Sequence, residues 1–109
     1  MNREWAGSGV RAHFIEDYYR ATQTAYVQAL RAKGLSDAQI GSHAGAADTS
    51  LMLAIDPSLV RTDRLAGPGA ADGTQGEPAA SSAALGQLGV ELIVSQTVAA
   101  IRKARAEKH

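Results

Sequence analysis

Gly41-Ser42-His43-Ala44-Gly45-Ala46-Ala47-Asp48-Thr49-Ser50-Leu51-Met52-Leu53-Ala54-Ile55-Asp56-Pro57 joins a glycine-flanked histidine to an apolar run that a proline stops. Gly41 and Gly45 permit backbone angles and close approaches that other residues resist, so the stretch opens as a turn. Asp48, Thr49 and Ser50 are residue types that accept hydrogen bonds from the free amides of a first helical turn. Leu51, Met52, Leu53 and Ile55 are too apolar to be left in water together and predict a helix buried on most of its circumference. Asp56-Pro57 ends that helix, because the residue before a proline is pushed out of helical geometry. His43 and Asp48 are thereby fixed at its N-terminal end. On spacing alone the pair fits two descriptions. One is an imidazole held for proton transfer beside a carboxylate; the other is a histidine and a capping aspartate that only complete a turn.

Upstream, Asp17 to Lys33 reads as one amphipathic helix, with Tyr18, Ala25, Tyr26, Ala29 and Leu30 toward one side. Ser36-Asp37-Ala38-Gln39 has the capping-box pattern of a short helix ending near Gly41. Val10 to Ile15 carries β-formers in partial alternation and predicts a short strand or an extended entry segment. His13, within it, has no histidine or cysteine nearby at ligand spacing, which makes it a solvated or hydrogen-bonded side chain rather than a metal ligand. Residues 1–9 read as a lead-in anchored by Trp5.

Downstream, Arg61, Asp63 and Arg64 form a charged, solvated run. Residues 66–78 hold more glycine and proline than a regular element tolerates and predict a long loop. No Gly-Lys-Ser/Thr follows, so this is not a phosphate loop. Pro78 suits the first turn of a final helix running from Ala79 or Ser82 to near Glu107. Leu85, Leu88, Leu92, Val98 and Ile101 mark one face of it, and Gly86 and Gly89 thin it where a neighbour can come close.

The chain's 109 residues suffice for one small domain. Eleven basic and eleven acidic side chains cancel, which argues against nucleic-acid and anionic-membrane partners. The lack of cysteine excludes disulfide and thiol chemistry and is consistent with the cytoplasm. No apolar run approaches the roughly 20 residues of a membrane span. Aromatic residues are few (one Trp, three Tyr, one Phe), so the hydrophobic stabilisation per residue is low and the chain is expected to pack against a larger neighbour.

The run His43-Ala44-Gly45-x-x-Asp48-Thr49-Ser50-Leu51, followed by Ala54-x-x-Pro57 and Leu59-Val60, resembles the creatininase (creatinine amidohydrolase) family. Its usual pattern is His-Ala-Gly-x-x-Glu-Thr-Ser ahead of an apolar helix and a proline. Asp48 stands where most relatives have Glu, and Ala46 where many have another acidic residue. The Arg11 to Tyr19 segment, the Gly73-x-x-Gly76-Glu77-Pro78 turn and the long final helix extend the resemblance, which is to the C-terminal portion of a family member.

The resemblance implies an α/β fold. Residues 1–109 would be a single partial domain, the C-terminal part of a three-layer α/β/α sandwich. The chain itself would be mostly helical, with one or two short strands joining a sheet supplied by other residues. It further implies hydrolysis of a non-peptide C–N bond in a small-molecule amide, with divalent zinc or manganese whose ligands lie outside this chain. In that scheme His43 gives the proton to the leaving nitrogen and Asp48 is its partner carboxylate. The same comparison implies a missing N-terminal portion or a companion subunit, and assembly into a homo-oligomer. A second class of function explains the small residues equally well: a non-catalytic helical module that docks on another subunit.

Overall fold

The computed structural model describes residues 1–66 and 73–107. Among these described residues five α-helices follow in order: α1 (Asp17–Gln23), α2 (Ala25–Ala32), α3 (Asp37–Ile40), α4 (Ala46–Ile55) and α5 (Ala83–Ala106). Single 3₁₀ turns at Pro57–Leu59, Thr62–Arg64 and Pro78–Ala80 punctuate the connection between α4 and α5. The predominance of helix is as expected. Among the described residues the β pairing is an isolated antiparallel bridge between His43 and Gln75.

The long α5 gives the molecule its elongated form, 56 × 27 × 24 Å. It packs chiefly on α4 and also on α1 and α2. The core lies between these helices, with Tyr26, Leu30, Ile40 and Ala47 at its centre and Leu51, Leu85 and Leu92 packed around them.

Several local signals act as the sequence predicts. Ser36 Oγ accepts from Gln39 N at 3.2 Å, and Gln39 Oε1 accepts from Ser36 N at 3.0 Å, closing the capping box of α3. Asp56 stops α4 in an extended conformation and then caps the next turn, its Oδ1 accepting from Ser58 N and Oγ. Those two bonds hold the Asp56 carboxyl below the usual carboxylate range. Ser82 caps α5 by accepting from Leu85 N at 3.1 Å. Pro78 occupies the first position of the preceding 3₁₀ turn, not of α5 itself.

Other expectations are corrected. The helix expected over Asp17–Lys33 breaks at Thr24, whose backbone leaves helical geometry at φ −121°, ψ −81°. The Thr24 hydroxyl donates back to the Arg20 carbonyl at 2.8 Å, the local competition that bends helices at threonine. Of the two forms expected for Val10–Ile15, the strand is not made, and the stretch is an irregular entry segment leading into α1. Instead the Asn2 side chain takes both polar groups of the Ala12 backbone, at 2.8 and 2.9 Å, and among the described residues no neighbouring strand offers a ladder. Trp5 lies exposed in the N-terminal turns and is not an anchor in the core. Of the loop predicted over 66–78, residues 67–72 lie outside the described residues, as do Lys108 and His109.

The largest correction concerns α4. Its buried residues are Ala46, Ala47 and Ser50, while the bulky Met52 and Ile55 are exposed. The reason is on α5: a Cβ on Gly86 would collide with the Ser50 carbonyl, and one on Gly89 would lie 2.7 Å from Leu51 and 2.8 Å from the Tyr26 ring. At Gly86 the two helices approach almost backbone to backbone, so small residues line the closest contact and Leu51 packs one turn along, against Gly89. The sequence expectation about membrane-length segments also needs correcting. By length and composition α5 is apolar enough to cross a membrane, since Glu91 and the glutamines interrupt its apolar run without lowering its mean hydropathy much. Here one side of α5 is packed on three other helices instead.

Candidate functional site

His43 lies where two loops meet through glycine. Gly41 follows α3 at φ 74°, in the left-handed region, and a Cβ there would collide with the Gln75 carbonyl. Gly76, at φ 149°, lies so close that its own Cβ would stand 2.5 Å from Gly45 Cα and 2.9 Å from Gly41 Cα. This contact brings Gln75 against the histidine turn. The Gln75 carbonyl accepts from Ser42 N at 2.8 Å and His43 N at 3.2 Å, and Gln75 N donates to the His43 carbonyl at 2.8 Å. Ser42 Oγ donates to Gln75 Oε1 at 2.8 Å. Both backbone polar groups of His43 are therefore held, while its imidazole remains exposed.

The next residue is strained. Ala44 sits at φ 53°, a conformation that costs a non-glycine residue about 1–2 kcal/mol. The first turn of α4 holds it there. Asp48 Oδ2 accepts from Ala44 N at 3.0 Å, and Thr49 Oγ1 donates to the Ala44 carbonyl at 3.2 Å. Gly45 is the N-cap of α4 and has no side chain to cap with, so Asp48 reaches back from the first turn in its place. A carboxylate is also favoured there by the positive end of the helix dipole.

The structure thus brings His43 and Asp48 into one turn, as predicted, but no hydrogen bond or ion pair joins them. Asp48 orients the histidine through the Ala44 backbone rather than by touching the imidazole. Its short side chain is matched to the amide one residue on.

Behind the turn is a polar tie that sequence reading missed. Tyr26 is fully buried, and its hydroxyl donates to the Ala47 carbonyl at 3.2 Å. Burial pushes the Tyr26 hydroxyl up to about 12, a hydrogen bond with Ser50 pulls the other way, and the Asp48 charge adds to the rise. Ser50, also fully buried, accepts from Ser82 N at 3.1 Å and so links α4 to the start of α5. Tyrosine 17 residues upstream of a histidine gives no sequence signal for this; only the packing of α2 on α4 does. Gln75 and Gly76 were legible only as part of a glycine-punctuated loop.

Beside the turn opens a cavity of about 300 Å³ whose walls include Asp48, Thr49, Met52, Leu59, Arg61 and Arg64. The two arginines, read from sequence as part of a solvated run, face this hollow.

Among the described residues no three His, Asp or Glu side chains converge as ligands. His13 lies elsewhere, in a hollow formed with Phe14, Asp17, Lys103 and Glu107. The donors present do not fit a two-metal centre, which needs several converging ligands.

The creatinine amidohydrolase family model matches residues 3–101 of the chain. The chain belongs to the creatininase family, a family of metal-dependent amidohydrolases. No curated protein and no solved structure matches it.

Proposed function

We propose that this chain is the proton-donating, C-terminal part of a creatininase-type amidohydrolase, and that His43 protonates the leaving nitrogen as the amide C–N bond breaks. The observation that carries the reading is the way the histidine turn is held. Glycine contacts, the bridge to Gln75 and the Asp48 bond to Ala44 fix the backbone on both sides of His43 while leaving its imidazole open. A turn that merely connects two helices does not need a strained alanine secured by two side chains. A rigid mount with an accessible ring is what a general acid requires.

In this reading Asp48 is a positioning residue. The zinc or manganese of the family is held by residues outside those described here, in an N-terminal portion or a companion subunit. That portion would also supply the sheet of the α/β/α sandwich, to whose edge the His43–Gln75 bridge would belong. A docking module without chemistry is the second reading, favoured by the exposed Met52, Ile55, Leu59, Val94, Val98 and Ile101.

The test is His43→Ala in the complete, metal-loaded assembly. Loss of a positioned acid lowers turnover by roughly 10²–10⁴-fold, with metal content and chain stability unchanged. Near-normal turnover would leave only the docking role. Loss of metal would make His43 a ligand instead.

A further inference from the structure

The cavity beside the histidine turn has an unusual wall. Thr62–Arg64 is a 3₁₀ turn, and Arg61 is its N-cap. Arg61 and Arg64 stand at the two ends of this short turn. Both line the cavity, while Asp63 between them does not. Arg20 pairs with Glu16 at 2.8 Å, Arg31 with Asp37 at 2.6 Å, and Arg11 bonds the Val10 carbonyl at 2.8 Å, whereas Arg3, Arg102 and Arg105 make no ion pair among the described residues and line no cavity with a second arginine and an apolar floor. Arg61 and Arg64 make no ion pair with any described residue. Two guanidinium groups on one cavity wall repel each other, and an anion held between them relieves that repulsion.

The rest of the wall sets the shape of the ligand. Asp48 stands in the same cavity but already accepts from Ala44 N, and its negative charge repels an anion from that end. The anion is therefore directed to the arginines. Between the two ends lie Met52, Leu59, Val60, Leu65 and Pro78, an apolar floor with no charge to satisfy. A volume of about 300 Å³ suits a small molecule.

We propose that this cavity binds a small molecule whose anionic group, a carboxylate or a phosphate, is held by Arg61 and Arg64 and whose apolar body lies over Met52, Leu59 and Leu65. Planar guanidinium groups recognise either oxyanion bidentately. Because Ala44 and Asp48 belong both to this cavity and to the histidine turn, a bound ligand sits next to His43. Resting on the proposed function, this makes the substrate an amide that carries a negative charge.

Binding can be read without turnover. The full chain is titrated by calorimetry and by amide NMR with hippurate and with phenyl phosphate, each an aromatic body bearing one oxyanion group. Hippuramide, the neutral counterpart of hippurate, is the control. The expected result is that at least one anionic probe binds about tenfold or more tightly than hippuramide, shifts the amides of residues 59–65, and weakens as salt is raised. Whichever of the two binds better identifies the oxyanion. The double variant Arg61→Gln/Arg64→Gln should lose this preference with an unchanged melting temperature, since neither arginine holds the fold, whereas Arg102→Gln on α5 should retain it. Equal binding of anionic and neutral probes, binding of none at millimolar concentration, or undiminished anion binding by the double variant overturns the proposal. None of these outcomes bears on His43, whose role is read from turnover alone.

Discussion

On its inner face α4 carries Ala46, Ala47 and Ser50, all buried; on its outer face Met52 is 40 % exposed and Ile55 67 %. The inner face is built from backbone contact. Gly86 and Gly89 let α5 come close enough that peptide groups, methyls and a single tyrosine ring fill the seam. Such a seam draws on many short contacts and few large buried side chains, so its stability depends on fit rather than on area. The outer face has the large apolar residues and, at its N-terminal end, Asp48 and the cavity. It continues into Leu59, 63 % exposed, and has no cover within the described residues. One helix therefore shows a finished interface on one side and an unfinished one on the other.

The sharpest way to break this contrast is Gly86→Ala. Alanine favours a helix by about 1 kcal/mol over glycine, but the new methyl would meet the Ser50 carbonyl, which is backbone and cannot swing aside. The overpacking should dominate, with a net loss of about 3 kcal/mol or outright unfolding, read from urea denaturation. Gly89→Ala meets the far ends of Leu51 and Tyr26 instead and should cost distinctly less.

Tyr26→Phe tests the polar part of the seam. It removes the bond to the Ala47 carbonyl and should cost about 1 kcal/mol at neutral pH. The pH dependence is the stronger signature. Folding raises the Tyr26 hydroxyl from 10.0 to about 12, so the folded chain holds a proton that the unfolded chain gives up above pH 10. The associated stability is fully present below pH 10 and is lost as pH rises toward 12, to a total of about 2–3 kcal/mol. In the Phe variant that alkaline loss should disappear from a series of melts between pH 9 and pH 12.

Asp48→Ala acts where the two faces meet. It leaves the Ala44 amide without its acceptor in a strained conformation and should cost about 1 kcal/mol, with broadened NMR signals for residues 43–45. The smallest effect is expected from Met52→Ser combined with Ile55→Ser. These side chains are exposed, so the melting transition of the chain alone should move by no more than about 0.5 kcal/mol in stability. Assembly with a second subunit or an N-terminal portion, followed by size-exclusion chromatography, should be lost in the same variant. A large fall in the chain's own stability would show that the outer face is already part of a core.

The sequence by itself determined what is local. Ser36 and Gln39 specify a capping box, Asp56-Pro57 a helix end, and the period of α5 a long helix, because each depends on atoms a few residues apart. The His-Ala-Gly-x-x-Asp-Thr-Ser motif was enough to indicate the family and to single out His43 and Asp48. Tertiary structure decided what depends on distance. Gln75 meets His43 only because Gly41, Gly45 and Gly76 let two loops touch, and Tyr26 reaches Ala47 only because α2 packs on α4. It also decided which side of α4 is inside. Hydrophobicity ranks Met52 and Ile55 with Leu51 as residues to bury, yet the close approach of α4 and α5 is set by glycine, and there Ala46, Ala47 and Ser50 are buried with Leu51 packed beside them while Met52 and Ile55 stay outside.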